Sequence, residues 1–264
     1  MTREFTIQKL GISRRLFAML GATIAVAVMS LDVHSATAQG TFEKIKKTGV
    51  MVVGTSAAYA PFEYRQSGNL VGFDIDMGEE IAKRMGAKIE WVEIDFKGII
   101  AALRSKRVDF LITAMTKTPE RAEQIDFSMS YYNSGEGAAV KNNSLIEKPA
   151  DLAGKNVGVQ IGSSGERFVR GQLKDVKEIK SYDAILLALK DLEAGRVDAV
   201  VNSLPSIKYS IKGLKGLKTT SPWSFSDVGI NTRKEDADLM VELNKHLSAL
   251  KAEGFLDKLD KKWF

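Results

Sequence analysis

One arginine occupies a position that favours a binding role. The run from Thr118 to Arg121 predicts the start of a helix, with Thr118 as the N-cap and Pro119 at the first helical position. Arg121 then falls in the first turn, where the helix dipole disfavours a cation. A bound carboxylate would offset this cost and would fit the planar guanidinium. The structural alternative is a surface ion pair with Glu123 or Asp126.

A stretch rich in glycine and serine predicts a second anion-binding feature. Residues Gly162 to Glu166 follow a predicted strand and open a helix, and free backbone N–H groups at such a helix start bind anions. The alternative is a capping box between Ser163 and Glu166, which stabilises a helix by about 1 kcal/mol. The two roles are compatible, since Ser164 can face a ligand while Glu166 caps. Arg121 and this helix start could hold one carboxylate between them.

The chain is poor in residues that enzymes commonly use. It has no Cys and two His, His34 and His246, which excludes thiol nucleophiles and leaves little for metal ligation. It contains neither a G-x-x-x-x-G-K phosphate loop nor a G-x-S-x-G nucleophile elbow. We therefore expect a binding protein with no catalytic residue, no metal and no cofactor. The net charge of +5 comes without a Lys/Arg block, so we expect no nucleic-acid partner.

The order of apolar patterns along the chain predicts an α/β fold built from two similar units. Short Val/Ile-rich runs alternate with helical stripes. The run Arg107–Asp109 precedes one apolar strand, and Arg196–Asp198 precedes another, each after a helical stripe. We expect two α/β lobes between which the chain crosses twice, so that the crossings form a hinge, with lobe 1 formed by 39–134 and 226–264 and lobe 2 by 135–225. The amphipathic tail helix then packs on lobe 1.

Ligands of open α/β sheets bind at the carboxyl ends of the strands. The residues that follow the predicted strands therefore form the candidate site, together with Arg121 and two aromatic residues that could sandwich an apolar part of the ligand. We predict these ligand-binding residues: Tyr59, Phe96, Thr113, Ala114, Thr116, Arg121, Gln160, Ser163, Ser164 and Ser203. Asn202 lies at the same strand end as Ser203.

Residues 1–38 have the layout of a secretory signal peptide. A basic stretch ends at Arg15, an apolar run extends from Leu16 to Met29, and Ala36–Ala38 is a small-x-small cleavage site. The adjacent pair Arg14 and Arg15 leaves a twin-arginine signal open beside the general export signal. We expect a free periplasmic protein without a lipid anchor, because no Cys stands at the cleavage site.

The run Gly72-Phe73-Asp74-Ile75-Asp76-Met77 resembles the signature of periplasmic polar-amino-acid-binding proteins of ABC importers. The similarity extends over the mature chain. It implies a two-lobed (type II) periplasmic binding fold that closes over an amino acid, and a monomer that delivers its ligand transiently to a membrane ABC permease. It also implies roles for matching residues: Arg121, Thr116 and Ser164 at the α-carboxylate, Tyr59 and Phe96 as aromatic walls, and Thr113 and the Ala114 carbonyl near the α-ammonium.

Two positions depart from that family pattern. Ser203 stands where the family usually has an aspartate that faces the α-ammonium, and Ser56 stands where binders of basic amino acids carry an aspartate. We therefore expect a neutral or acidic amino acid, or an organic acid without an amine, rather than lysine or arginine. Asp95 is the one nearby acid, and we interpret it as the cap of a helix that begins near Lys97.

Two other functions stay open at this stage. The chain also resembles the cyclohexadienyl dehydratases, periplasmic enzymes of the same fold whose catalytic glutamate falls near Glu166. Many non-enzymatic binding proteins also carry a glutamate there, as a capping box requires, so we interpret Glu166 mainly as a cap. A binding protein that serves a chemoreceptor or sensor kinase would share the ligand site and differ only in its partner.

Overall fold

The computed structural model describes residues 40–264. The predicted signal peptide, residues 1–38, lies outside this range. Within the described range, no helix combines the length and the apolar character that crossing a membrane requires.

The predicted alternation of strands and helices is confirmed. The first elements in chain order are α1 (Thr41–Thr48), β1 (Val50–Thr55), β2 (Ala58–Tyr59), β3 (Glu63–Gln66), β4 (Asn69–Val71), α2 (Phe73–Arg84), β5 (Lys88–Glu93), a 3-10 turn (Phe96–Gly98), α3 (Ile99–Arg104), β6 (Phe110–Leu111), α4 (Pro119–Gln124) and β7 (Asp126–Phe127). They are followed by β8 (Tyr132–Lys141), a 3-10 turn (Pro149–Leu152), β9 (Asn156–Gln160), α5 (Ser164–Gln172), β10 (Glu178–Tyr182), α6 (Ile185–Glu193), β11 (Ala199–Ser203), α7 (Leu204–Ser210), a 3-10 turn (Ile211–Gly213), β12 (Leu217–Thr219), β13 (Ser224–Val228), β14 (Asn231–Thr232), α8 (Ala237–Ala252) and α9 (Phe255–Trp263).

Two larger sheets organise these elements. The first sheet has the order β5-β1-β6-β14-β7, and the second has β10-β9-β11-β8-β12 with β13 also paired to β8. In each sheet the first strands are parallel, β1 with β5 and β6, and β9 with β10 and β11. Loops after these strands therefore collect at one edge of each sheet. A small antiparallel sheet, β2-β3-β4, follows β1 and includes Tyr59 in β2.

The repeated Arg-Val-Asp run makes the same contact in both sheets. Asp109 donates its backbone N–H to the carbonyl of Val52 and accepts from the N–H of Val52 through Oδ2, at 2.7 and 3.0 Å. Asp198 exchanges the same pair of bonds with Asn156, at 2.8 and 2.7 Å. The internal similarity seen in the sequence is therefore a repeated helix–strand unit in three dimensions.

The chain passes twice between the sheets. It leaves the first sheet after β7 and enters the second at β8, and it returns from β13 to β14. The passing strands pair with each other, from Tyr132↔Val228 to Glu136↔Ser224. The tail helix α8 then buries Leu239, Leu243 and Leu247 in the core of the first sheet, as its amphipathic pattern predicts.

Candidate functional site

A narrow cavity lies between residues of the two sheets. Eight of the ten predicted site residues line it: Tyr59, Phe96, Ala114, Thr116, Arg121, Gln160, Ser163 and Ser164. Asn202, at the end of β11, also lines it. Most of the predicted ligand-binding residues therefore lie in one place.

The helix start that presents Arg121 forms as the sequence predicts. Thr118 caps α4 and accepts a hydrogen bond from the backbone N–H of Arg121, and Pro119 occupies the first helical position. The Arg121 side chain is 4% exposed. Its Nη1 donates to the carbonyl and to the Oγ1 of Thr116, at 2.6 and 2.9 Å, and its Nη2 donates to the carbonyl of Gly162 at 2.9 Å. Arg121 therefore joins a loop of the first sheet to the helix start of the second.

The Arg121 guanidinium is a buried cation whose acceptors are neutral. Within residues 40–264 none of its hydrogen bonds goes to a carboxylate, and the alternative partner Asp126 pairs with Lys234 instead. Burial, followed by the charge of Arg167, lowers the pKa of Arg121. A bound anion would relieve both effects, because it replaces lost hydration and opposes the second cation.

The start of α5 lies directly across the cavity from Arg121. Ser163 caps the helix by accepting from the N–H of Glu166 at 3.1 Å. The Glu166 carboxylate accepts from the backbone N–H of Gly162 at 2.7 Å, and also from Ser181 and Arg170. The predicted cap is confirmed, although Glu166 reaches Gly162 rather than the N-cap residue itself.

Two aromatic side chains form part of the cavity wall, but each has a protein partner. The Phe96 ring lies under the guanidinium of Arg121, 5.3 Å from ring centroid to Cζ. Tyr59 stacks on Phe62 with a centroid distance of 6.0 Å. Its hydroxyl donates to Oδ1 of Asn202 at 2.7 Å. Phe96 thus orients the arginine, and Tyr59 links the two sides of the cavity.

Comparison with known proteins identifies the family. The model of the bacterial extracellular solute-binding proteins, family 3, matches residues 51–264. The chain belongs to this family.

Similar proteins support this assignment over nearly the whole chain. The L-cystine-binding protein TcyJ of Escherichia coli strain K12 is 32% identical over 252 residues, which cover 94% of this chain and 94% of TcyJ. An ancestral arginine-binding protein, solved with arginine bound, is 41% identical with a TM-score of 0.78, covering 82% of this chain and 98% of that one. The ancestral amino acid-binding protein AncCDT-1, a precursor of cyclohexadienyl dehydratase, is 33% identical with a TM-score of 0.81, covering 85% and 99%. The family 3 protein therefore has a two-lobed α/β solute-binding fold.

Two predicted site residues of the family 3 protein do not line the cavity. Thr113 is 1% exposed; its Oγ1 accepts from the N–H of Ser56 at 3.1 Å and donates to Oε1 of Glu63 at 2.8 Å. Ser203 is 2% exposed, and its hydroxyl hydrogen-bonds that of Ser134 at 2.6 Å. Both hydroxyls are satisfied by distant segments of the chain, which the strand-end argument could not anticipate.

The acids near the first sheet take unexpected positions. Glu63 is fully buried and accepts from the Ser56 hydroxyl at 2.9 Å. Burial, followed by the charge of Asp74, raises the pKa of Glu63, so a charged acid is disfavoured behind Ser56. The capping interpretation of Asp95 is wrong: Asp95 is exposed and precedes the 3-10 turn, but its side chain makes no capping bond.

Sequence reasoning missed Glu136, a buried acid in β8. It is 2% exposed, and its Oε1 accepts a hydrogen bond from Oγ of Ser164, a cavity residue. In the sequence it lies beside the predicted boundary between lobe 1 and lobe 2, between Gly135 and Gly137, where no pattern marks it. Only the register of the second sheet brings it beside the site.

Proposed function

We propose that this family 3 protein captures an amino acid in the cavity between its lobes and delivers it to the permease of an ABC importer. The observation that carries the proposal is the Arg121 guanidinium, which is buried at the cavity wall among neutral acceptors. Burying an unpaired charge is costly, so the arrangement is explained by an anionic ligand group. Two similar proteins are named for binding cystine and arginine. This supports an amino-acid carboxylate as the anion.

The lining residues divide naturally between the two ends of such a ligand. Arg121 and Thr116 offer N–H and O–H groups to the carboxylate from one side. The start of α5 offers backbone N–H groups from the other side, because the Ser164 hydroxyl already donates to Glu136. Tyr59, Phe96, Gln160 and Asn202 leave a wall that is aromatic and polar but uncharged. Thr113 and Ser203 do not line the cavity, and they support its wall through their hydrogen bonds with Ser56 and Ser134.

Neutral amino acids should bind more tightly than lysine, arginine or ornithine. The cavity-lining residues include no carboxylate, and Glu63 is buried behind Ser56 with a raised pKa. A basic side chain would leave its cation unpaired, which costs several kcal/mol, and 1.4 kcal/mol already gives a factor of about ten. Side-by-side calorimetric titrations of ligand-stripped protein check this. Sub-micromolar binding of lysine or arginine, with no binding of neutral amino acids, would contradict it.

A thermal-shift screen tests the proposed function itself. The mature protein is heated with each standard amino acid, cystine and a set of small carboxylic acids. A ligand present at 100 times its Kd adds about 2.7 kcal/mol to the free energy of unfolding, which is a readily measured shift in Tm. The proposal predicts that at least one amino acid gives such a shift. A screen in which no amino acid stabilises the protein would overturn it.

Ligand binding should also compact the molecule. We place lobe 1 at 39–134 with 226–264 and lobe 2 at 135–225, with the paired strands β8 and β13 as the hinge. Contacts between the lobes, such as Tyr59 with Asn202 and Lys97 with Asp183 at 2.7 Å, define the closed form. A ligand that touches both lobes favours this form through its differential contacts. Small-angle scattering should show a smaller radius of gyration at saturation, and identical profiles would contradict closure.

The protein is proposed to bind its ligand without converting it. The dehydratase alternative needs Glu166 to act on a substrate, whereas Glu166 is occupied by Gly162, Ser181 and Arg170. AncCDT-1 is itself described as an amino acid-binding protein. Incubation with prephenate should therefore give no phenylpyruvate. Catalytic formation of phenylpyruvate that is lost in Glu166→Gln would favour the enzyme.

We further propose that residues 1–38 direct export and are removed, and that the mature protein acts in the periplasm as a free monomer. The family is extracellular by its description, and the basic, apolar and small-residue order of this segment supports the assignment. Mass spectrometry of the exported protein should find an N-terminus at Gln39.

A further inference from the structure

Glu136 is a buried acid with one oxygen unpaired. It lies in β8 with 2% of its surface exposed. Its Oε1 accepts from the hydroxyl of Ser164, but its Oε2 is buried and has no hydrogen-bond partner within the described residues. Burial raises the pKa of this carboxyl, while the Ser164 hydrogen bond and the charge of Arg121 act in the opposite direction. A buried carboxylate oxygen without a donor is destabilising, so this atom needs a partner.

The register of the second sheet places Glu136 beside the ligand cavity. Glu136 pairs directly with Ser203 of β11 in the antiparallel ladder, so their side chains share one face of the sheet. The hydrogen bond between Ser134 and Ser203 marks the same face, because Ser134 is two residues before Glu136. Ser164, which holds Oε1, lines the cavity itself. The free carboxylate oxygen therefore lies one side chain behind the cavity wall, next to the predicted carboxylate site.

We propose that Glu136 provides the counter-charge for the ammonium group of the amino-acid ligand whose carboxylate is held by Arg121. This inference rests on the proposed function. An amino acid carries its ammonium group and its carboxylate group on the same α-carbon, so its site requires an anion and a cation close together. Glu136 is hydrogen-bonded to Ser164, which lines the same cavity as Arg121, and the charge of Glu136 acts on Arg121. Glu136, which pairs with Ser203 on the neighbouring strand, thus supplies the carboxylate that position 203 lacks.

The proposal separates two ligand classes that the sequence leaves open. A simple carboxylate can pair with Arg121 but leaves Glu136 without a cation, and its own negative charge approaches that of Glu136. An amino acid satisfies both groups at once. The protein should therefore select ligands that bear an α-ammonium and discriminate against organic acids that lack one.

The test compares one ligand with its deaminated form. The probes are the L-amino acid that binds the wild-type protein most tightly in the thermal-shift screen, and the same molecule with hydrogen in place of the α-ammonium. Calorimetric titrations use the wild type, Glu136→Gln and the double variant Glu136→Gln/Ser203→Asp. Glutamine keeps the shape of the side chain and can still accept from Ser164, and thermal unfolding of each variant verifies that it folds.

The expected pattern has three parts. The wild type should bind the amino acid at least about tenfold more tightly than its deaminated form, since a hydrogen bond to a charged group contributes 1.5–3 kcal/mol. Glu136→Gln should lose about 10- to 100-fold in affinity for the amino acid and nothing for the deaminated form. The double variant should recover part of the lost affinity, because it restores an acid on the facing strand.

Several outcomes would overturn the proposal. If Glu136→Gln bound the amino acid with unchanged affinity, Glu136 would not be the counter-charge. Equal losses for both probes would mean that Glu136 has a structural role. If Glu136→Gln does not fold, wild-type protein that binds both probes equally contradicts the proposal by itself. A screen without any amino-acid ligand overturns the proposed function first, and so the two failures are distinguishable.

Discussion

Arg121→Ala should weaken amino-acid binding by about 2–5 kcal/mol, which is the range for truncating one partner of a buried, hydrogen-bonded charge pair. The alanine removes the donors that lie between Thr116 and Gly162. It also leaves the ligand carboxylate buried without a cation. The affinity of Arg121→Lys should fall between those of the wild type and Arg121→Ala, because a lysine restores the charge but not the planar guanidinium. Calorimetric titration with the tightest amino acid from the screen measures all three proteins.

Arg167→Ala is the matched control for this series. Arg167 also donates to the carbonyl of Gly162, at 3.0 Å, but it does not line the cavity. Its removal should change ligand affinity far less than the removal of Arg121. If Arg121→Ala bound with wild-type affinity, or if both alanine variants lost affinity equally, then Arg121 would not be the specific carboxylate ligand.

Gly165→Ala should lower both the stability of the protein and its affinity for the ligand. A Cβ at this position would lie 2.4 Å from the carbonyl oxygen of Val201 and 2.9 Å from its carbonyl carbon. Val201 belongs to β11, which is paired on both sides, so its backbone cannot retreat and the start of α5 must shift instead. Overpacking of this kind costs about 1–3 kcal/mol. Ser163 and Ser164 move with the helix start, and the ligand site is displaced with them.

Gly171→Ala in the same helix provides the control. Among residues 40–264, no atom outside the neighbouring helix backbone lies within 4 Å of a Cβ built at Gly171. Alanine should therefore leave stability unchanged or raise it by up to about 1 kcal/mol through its higher helix propensity. Denaturant unfolding and ligand titration measure both variants. If Gly165→Ala had the same stability and the same ligand affinity as Gly171→Ala, the close approach of α5 to β11 would not be needed for either property.

The parts of the fold that depend on local sequence could be predicted. The cap at Thr118 and the turn at Pro119 need only neighbouring residues, and they place Arg121 correctly. The runs ending at Asp109 and Asp198 could be recognised as a repeat because the two copies share one residue pattern, although their contacts with Val52 and Asn156 lie 57 and 42 residues away.

The parts that depend on distant partners could not be predicted. Thr113 is drawn away from the cavity wall by Glu63, which is 50 residues distant in the sequence. Ser203 is held by Ser134, 69 residues away. Glu136 lies beside the site only because β8 pairs with β11. Burial and pairing of polar groups depend on the assembled sheets, and periodicity along the chain does not report them.

A crystal structure of the mature protein with the tightest amino acid from the screen would test the central claim most directly. We predict that the ligand lies between the two lobes, with its carboxylate oxygens at about 2.7–2.9 Å from the guanidinium nitrogens of Arg121, the range for charge-assisted hydrogen bonds. An amino acid bound outside this cavity, or one whose carboxylate pairs with another cation while Arg121 keeps its neutral acceptors, would contradict it.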